Sequence, residues 1–215
     1  MSQIKVAIVP VTPFQQNCSI LVCQATNRAA VVDPGGDVSL IRRAVEQTGA
    51  TVVEKILLTH GHADHAGGAT ELSEIFGAPI EGPHIADKFL LDGLEDASAL
   101  FGFASRNVTP DRWLNEGDTV SFGEASFDVI HCPGHTPGSV VFINQPMLFC
   151  LVGDVLFQNS IGRADLPGGN YATLMHSIED KLLTLDDKMT FISGHGPIST
   201  IGAERLHNPF LQRQA

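Results

Sequence analysis

Basic residues are scarce in this 215-residue chain: 13 Lys and Arg stand against 24 Asp and Glu, a formal net charge of −11 with a pI near 5.1. Such a balance repels a phosphate backbone, so nucleic acid is not an expected partner. Long hydrophobic runs are missing too. The longest, residues 140–143 and 147–152, have the length of strands, and no membrane span is expected. The N-terminal MSQIKVAIVPVTP has neither the extended apolar region nor the small-residue cleavage site of a secretory signal, which points to an unprocessed cytoplasmic protein. The four cysteines, Cys18, Cys23, Cys132 and Cys150, form no C-x-x-C pair and are too few for a disulfide scaffold, so free buried thiols are expected. With 43% hydrophobic and 17% charged residues the chain is too apolar for disorder, and its length suits one domain over residues 1–215.

Short β-branched segments recur at residues 4–9, 19–23, 29–33 and 53–59, and again at 119–122, 126–131, 139–143 and 147–152, with Gly, Pro, Asn or Asp at most junctions. These read as strands. Between the third and fourth, Val38, Ile41 and Val45 share one face at helical spacing, with Asp37 placed to cap the start and Gly49 the end. Further helices are expected over 67–76, 84–91 and 173–183, the last with Leu174, Ile178 and Leu182 in line. Alternation in both halves excludes an all-α bundle and an all-β sandwich; helices covering mainly antiparallel sheets fit it. Residues 92–112 are the least periodic stretch, either a surface excursion or a loop over a site.

The densest chemistry lies in Thr59-His60-Gly61-His62-Ala63-Asp64-His65-Ala66-Gly67-Gly68, directly after the apolar strand VVEKILLTH. A strand end fixes His60, and the turn that follows lets His62, Asp64 and His65 converge instead of alternating across two faces. Three imidazoles and a carboxylate suit zinc, iron or manganese, and without a thiolate cluster they do not match a structural zinc knuckle. Four donors on one short turn cannot all reach one ion, so more ligands should come from elsewhere. His135 (in PGHTPG), Asp154 (in VGD) and His195 (in SGHGP) each follow a predicted strand and sit beside glycines. His84, His131, His176 and His207 match no ligand pattern, with His131 the one near enough to support the site; Cys132 reads as a small buried residue.

In this order the motifs T-H-x-H-x-D-H-x-G-G, P-G-H-T-P-G, G-D and G-H-G resemble the metallo-β-lactamase superfamily, and within it the compact bacterial glyoxalase II-like branch, over residues 4–195. The resemblance implies an α/β (α+β) fold, an αββα sandwich of two mixed sheets with the metal site along one edge. It also implies two divalent ions, zinc first and iron or manganese next, one held by His60, His62 and His135, the other by Asp64, His65 and His195, with Asp154 bridging. Asp64 would also orient the attacking water, and Asp33, in V-V-D-P-G-G, would support the metal loop from behind. Two such ions, roughly 3.5–4 Å apart, can lower the pKa of a shared water toward neutrality.

The same resemblance implies a thioester hydrolase whose partner is a small glutathione thioester, S-lactoylglutathione or a relative. Full-length glyoxalase II enzymes add a helical extension that holds glutathione, whereas here twenty residues follow His195. Arg163 falls where the family has a substrate-binding Lys, and Asp165 where it has a Tyr; Arg163 either faces substrate or pairs with Asp165. A mononuclear-iron persulfide dioxygenase using His60, His135 and Asp154 is the alternative. A lactonase follows, weakened because the one tyrosine, Tyr171, is not where that activity expects it.

Overall fold

The structure, a computed structural model, describes residues 3–212. Its first half holds β1 (Ile4–Val11), β2 (Gln16–Cys23), β3 (Arg28–Val32), α1 (Val38–Thr48), β4 (Val52–Leu57), α2 (Ala63–Ala66), α3 (Ala69–Phe76) and β5 (Ile80–Glu81). A short 3-10 turn leads into α4 (Lys88–Leu91) and α5 (Leu94–Ala99). The second half holds β6 (Thr119–Phe122), β7 (Ala125–His131), β8 (Val140–Asn144), β9 (Phe149–Gly153), β10 (Leu156–Phe157), β11 (Ser160–Ile161), α6 (Tyr171–Ser177), β12 (Thr190–Ser193), β13 (Ser199–Thr200) and α7 (Ile201–His207).

Two mixed sheets result, one ordered β1-β2-β3-β4-β5 and the other β13-β12-β9-β8-β7-β6. Their packing follows from the two-residue period of a strand. On β2, Leu21 and Cys23 point one way and join Ala30, Val32 and Leu57 against Phe122, Phe127, Val140 and Phe142 of the second sheet. Ile20 and Val22 point the other way, onto Ile41 and Val45 of α1 and Leu72 of α3. On the second sheet Val141, Cys150, Val152 and Phe191 face Leu174, Ile178, Leu182 and Ile201. The expected αββα sandwich is thus built from three apolar layers, and all four cysteines are free and buried within it.

Some expectations need adjusting. Gly49 ends α1 in the left-handed conformation, φ 82°, as the sequence suggests, but Asp37 does not cap the start. It has φ 49°, and its Oδ2 accepts from the Thr12 amide (2.8 Å), tying α1 to the β1–β2 turn. The helix expected over 67–76 is α3, which starts two residues later at Ala69, and a separate short helix, α2, precedes it inside the metal-ligand motif. The helix expected over 84–91 opens as a 3-10 turn, and α6 passes into a π-helical turn over Ile178–Leu182. Residues 92–112 contain α5 and then cross the edge of the sandwich, held by Arg106 N–H to the Gly67 carbonyl (3.1 Å) and Val108 N–H to that of Leu91 (3.1 Å). Among the described residues no helix is long and apolar enough to cross a membrane.

Candidate metal centre

All seven donor candidates gather at one edge of the sandwich. His60 follows β4, His135 follows β7, Asp154 follows β9 and His195 follows β12, while His62 precedes α2, and Asp64 and His65 lie on it. The side chains fall into two sets. Nδ1 of His62 lies 3.1 Å from His60 Nε2 and 3.0 Å from His135 Nε2. Three nitrogens at that spacing match a tetrahedral zinc site, where Zn–N bonds of about 2.05 Å put neighbouring ligands roughly 3.3 Å apart. In the second set His195 Nε2 is 3.2 Å and His65 Nε2 is 3.9 Å from Asp64 Oδ2. Each set has ligand atoms close enough to share one ion. Asp154 touches both: Oδ1 is 3.3 Å from His65 Nε2, and Oδ2 is 3.6 Å from both His135 Nε2 and His195 Nε2.

A metal also accounts for what the protein leaves unmade. His65 Nε2 and Asp154 Oδ1 are buried, yet neither makes a directed hydrogen bond. Leaving two such groups unsatisfied costs roughly 1–3 kcal/mol each, a cost that coordination removes. Gly194 shows how closely the pieces approach, since a Cβ there would overlap Asp154 Oδ1 and the His65 ring; the residue before His195 can have no side chain.

The surroundings fix which nitrogen faces inward. Asp33, nearly fully buried, accepts from the Thr59 amide (2.7 Å), the Thr59 hydroxyl (2.6 Å) and His65 Nδ1 (2.9 Å). With its proton given to Asp33, the Thr59 hydroxyl accepts from His60 Nδ1 (3.1 Å). Asp33 therefore sets the tautomers of both His60 and His65, leaving each Nε2 free for a ligand. His135 Nδ1 donates to the Arg163 carbonyl (2.8 Å) and His195 Nδ1 to that of Phe14 (3.2 Å).

Electrostatics divide the sets in the same way. Burial holds His60 well below the usual imidazole range and His62 at about 3, and it lowers His135, so the first set consists of neutral imidazoles. Burial also disfavours charge on His65 and His195, but the carboxylates Asp154 and Asp64 outweigh it and raise both. Burial pushes Asp64 and Asp154 up, and the facing histidines pull each below the ordinary carboxylate range. Both acids are anions at neutral pH, as cation ligation requires.

The centre opens into a cavity of about 610 Å³ lined by Phe14, Phe101, Phe103, Phe157, Gln158 and Arg163 among others. A larger groove, about 890 Å³, runs behind residues 102–106 and contains none of the seven donors. Arg163 reaches the mouth of the first cavity and also pairs with Asp165 through two parallel bonds (both 2.8 Å). Lys88 pairs with Asp92.

One residue escaped sequence reasoning. Asp87 is fully buried between the two ligand loops. Its Oδ2 accepts from the amide of Gly61, which separates His60 from His62 (2.8 Å), and from the Thr136 hydroxyl beside His135 (2.8 Å). Its Oδ1 accepts from the Gly138 amide (2.5 Å). Burial raises its carboxyl to about 6 against the pull of these three donors, so it remains ionised at neutral pH. A lone Asp inside a predicted helix gives no sequence signal for this; its partners lie 26 to 51 residues away.

Two mixed sheets with two donor sets at one edge define a metallohydrolase of the αββα class. The chain belongs to the metallo-beta-lactamase superfamily, whose family model matches residues 11–195. Hydroxyacylglutathione hydrolase GloC of Haemophilus influenzae is 43% identical over 98% of this chain and 99% of its own length. Among solved structures, BLEG-1 B3 metallo-beta-lactamase superposes with a TM-score of 0.88 at 37% identity, covering 96% of this chain and 99% of that one. TTHA1623 in a di-iron-bound form superposes at 0.86 and 35%, covering 95% and 100%. The chain is accordingly an enzyme, a hydrolase of the glyoxalase II-like branch, with a site for divalent metal.

Proposed function

We propose that the protein hydrolyses hydroxyacylglutathione thioesters, S-lactoylglutathione or a close relative, with two divalent ions of which zinc is the first choice. The observation that carries this reading is the pair of donor sets meeting at Asp154, with His65 Nε2 and Asp154 Oδ1 buried there without a directed hydrogen bond. His60, His62 and His135 would hold one ion, Asp64, His65 and His195 the other, and Asp154 both. When bound, such ions supply Lewis acidity toward the thioester carbonyl oxygen and lower the pKa of water held between them.

The chain's own part is placement. Asp64, whose Oδ2 lies 3.2 Å from His195 Nε2, would orient the attacking water on the carbonyl carbon. A C–O bond forms, the C–S bond breaks, and the displaced thiolate leaves readily because its conjugate acid is fairly strong. Water supplies the proton that ends on the acid or the thiol. No protein nucleophile is required. GloC supports the substrate class by likeness; the dioxygenase alternative shares these motifs and would use only His60, His135 and Asp154, so metal stoichiometry separates the two.

The test is metal analysis of protein purified without added metal, repeated under metal excess and paired with thiol release from S-lactoylglutathione. Two ions per chain with activity lost to a strong chelator is the expected result. A stoichiometry that stays near one, with oxygen consumed on glutathione persulfide, would replace the hydrolase reading with the dioxygenase.

A further inference from the structure

The mouth of the metal centre has two unlike walls, each fastened to a different donor set. On one side the Phe14 carbonyl accepts from His195 Nδ1, so the Phe14 ring stands beside the Asp64–His65–His195 set. Phe101 packs edge-on to it with ring centroids 5.1 Å apart, and Phe103 with centroids 6.2 Å apart. On the other side the Arg163 carbonyl accepts from His135 Nδ1, beside the His60–His62–His135 set, and Gln158 and Ser160 also line the cavity. Among the described residues lining this cavity Arg163 is the one Lys or Arg, and its guanidinium is already doubly bonded to Asp165.

The aromatic wall is assembled from two distant segments, the β1–β2 turn and residues 100–103, and it is left uncovered. Phe14 is 43% and Phe101 57% exposed. Converging rings that remain wet are unfavourable in the free protein, and covering them favours whatever ligand does so. The carrier of a glutathione thioester bears two carboxylates and an ammonium, so its place is the side that offers the Arg163 cation. With the thioester carbonyl over the donor sets, the other arm, the acyl group, runs along the rings. A lactoyl group, with one methyl, would leave most of that surface uncovered.

We propose that this site selects thioesters whose acyl arm is aromatic, and that Phe14, Phe101 and Phe103 are the residues that recognise it. The inference rests on the hydrolase reading above and specifies its substrate class. Edge and face contacts of the kind already present between Phe14 and Phe101 would be offered to an incoming ring.

Two readouts test this on the full zinc-loaded chain. The first is the ratio of kcat/KM for S-mandeloylglutathione, which carries a phenyl ring, to that for S-lactoylglutathione. Comparing wild type with Phe101→Ala cancels the intrinsic reactivity of the two thioesters, and the ratio should fall about tenfold, the scale on which an apolar pocket discriminates. Phe101→Leu, which keeps apolar bulk, should recover part of it. The second is binding without turnover: by calorimetry, S-benzylglutathione should bind more tightly than S-methylglutathione, and Phe101→Ala should shrink that difference by a similar factor. An unchanged ratio in Phe101→Ala and in Phe14→Ala, with both thioesters hydrolysed, overturns this inference alone. Hydrolysis of neither thioester overturns the hydrolase reading and this inference with it.

Discussion

Asp87→Asn should loosen one metal position and spare the other. The carboxylate faces three donors, and two of them, the amides of Gly61 and Gly138, can only donate. The Thr136 hydroxyl can turn, since Ser139 Oγ lies 2.7 Å away to receive its proton. An asparagine amide has one oxygen, so whichever way it is seated, its NH2 meets one of the two backbone N–H groups. One buried hydrogen bond is then unmade, at roughly 1–3 kcal/mol. No shift of the side chain relieves this cheaply, because the Gly138 backbone lies so close that a Cβ there would sit 2.5 Å from the carboxyl carbon. Relief comes from the loops moving apart, and gathering His60, His62 and His135 around an ion must then undo that movement. With about 2 kcal/mol at stake, affinity at this position should fall by up to about thirtyfold. The Asp64–His65–His195 set makes no hydrogen bond to Asp87 and should hold its ion as before. Competition with a chelating dye would show this as one tightly held and one weakened zinc per chain, with the melting temperature of the metal-free protein measured alongside. If both positions keep wild-type affinity while melting temperature falls, Asp87 supports the fold and does not position the ligands.

Asp154→Ala should deplete both metal positions, whereas His195→Ala should deplete mainly the one it shares with Asp64 and His65; loss of the same single ion from both variants, seen by metal analysis, would refute the bridging assignment. Arg163→Ala should raise KM for a glutathione thioester more than it lowers kcat, as when an interaction is equally strong in ground and transition states, and the effect should shrink with salt. An unchanged KM would mean that Arg163 serves only its pairing with Asp165. Glu116 supplies a pH test away from the site. Burial raises its carboxyl, but bonds from Lys181 Nζ (2.8 Å) and the His131 amide (2.7 Å) outweigh this and hold it below the usual range. A depressed pKa adds stability above the unfolded value, near 4.3, that is lost as pH falls through the folded one. The melting-temperature advantage of wild type over Glu116→Gln should therefore be present at pH 7, shrink once pH falls below the unfolded value, and be gone where Glu116 is protonated in the folded protein; it should be small, under ~1 kcal/mol, because the carboxylate is half exposed. An advantage that persists at low pH would refute the charge-based account.

What could be read from the sequence was local. The β-branched run at residues 19–23 predicted a strand, and Val38, Ile41 and Val45 predicted the buried face of α1; both need only the residues of their own element. The H-x-H-x-D-H turn was legible for the same reason. Asp37 misled because its cap-like position is used for a tertiary bond to Thr12, and no local rule signals a left-handed Asp that reaches another turn. Residues 92–112 were legible as aperiodic, but their place at the mouth depends on backbone bonds to Gly67 and Leu91.

The distant donors were legible one by one as residues at strand ends, and topology explains why that suffices. In the first sheet β3 and β4 are parallel, so Asp33 and Thr59-His60 emerge at the same end. In the second, β12 is parallel to β9, and β7 and β9 are both antiparallel to β8, so His135, Asp154 and His195 also leave by one end. The sheets are then registered against each other at that edge, where the Val140 amide donates to the Thr59 carbonyl (2.8 Å) and the Asn17 amide to that of Gly194 (2.7 Å). Each donor therefore needs only a strand before it and a glycine-rich turn to let it bend inward. The sorting into two sets does not come from strand order. Nor does strand order set which nitrogen each imidazole turns inward; Asp33, Arg163 and Phe14 turn Nε2 inward for four of the five histidines through contacts that no spacing in the chain encodes.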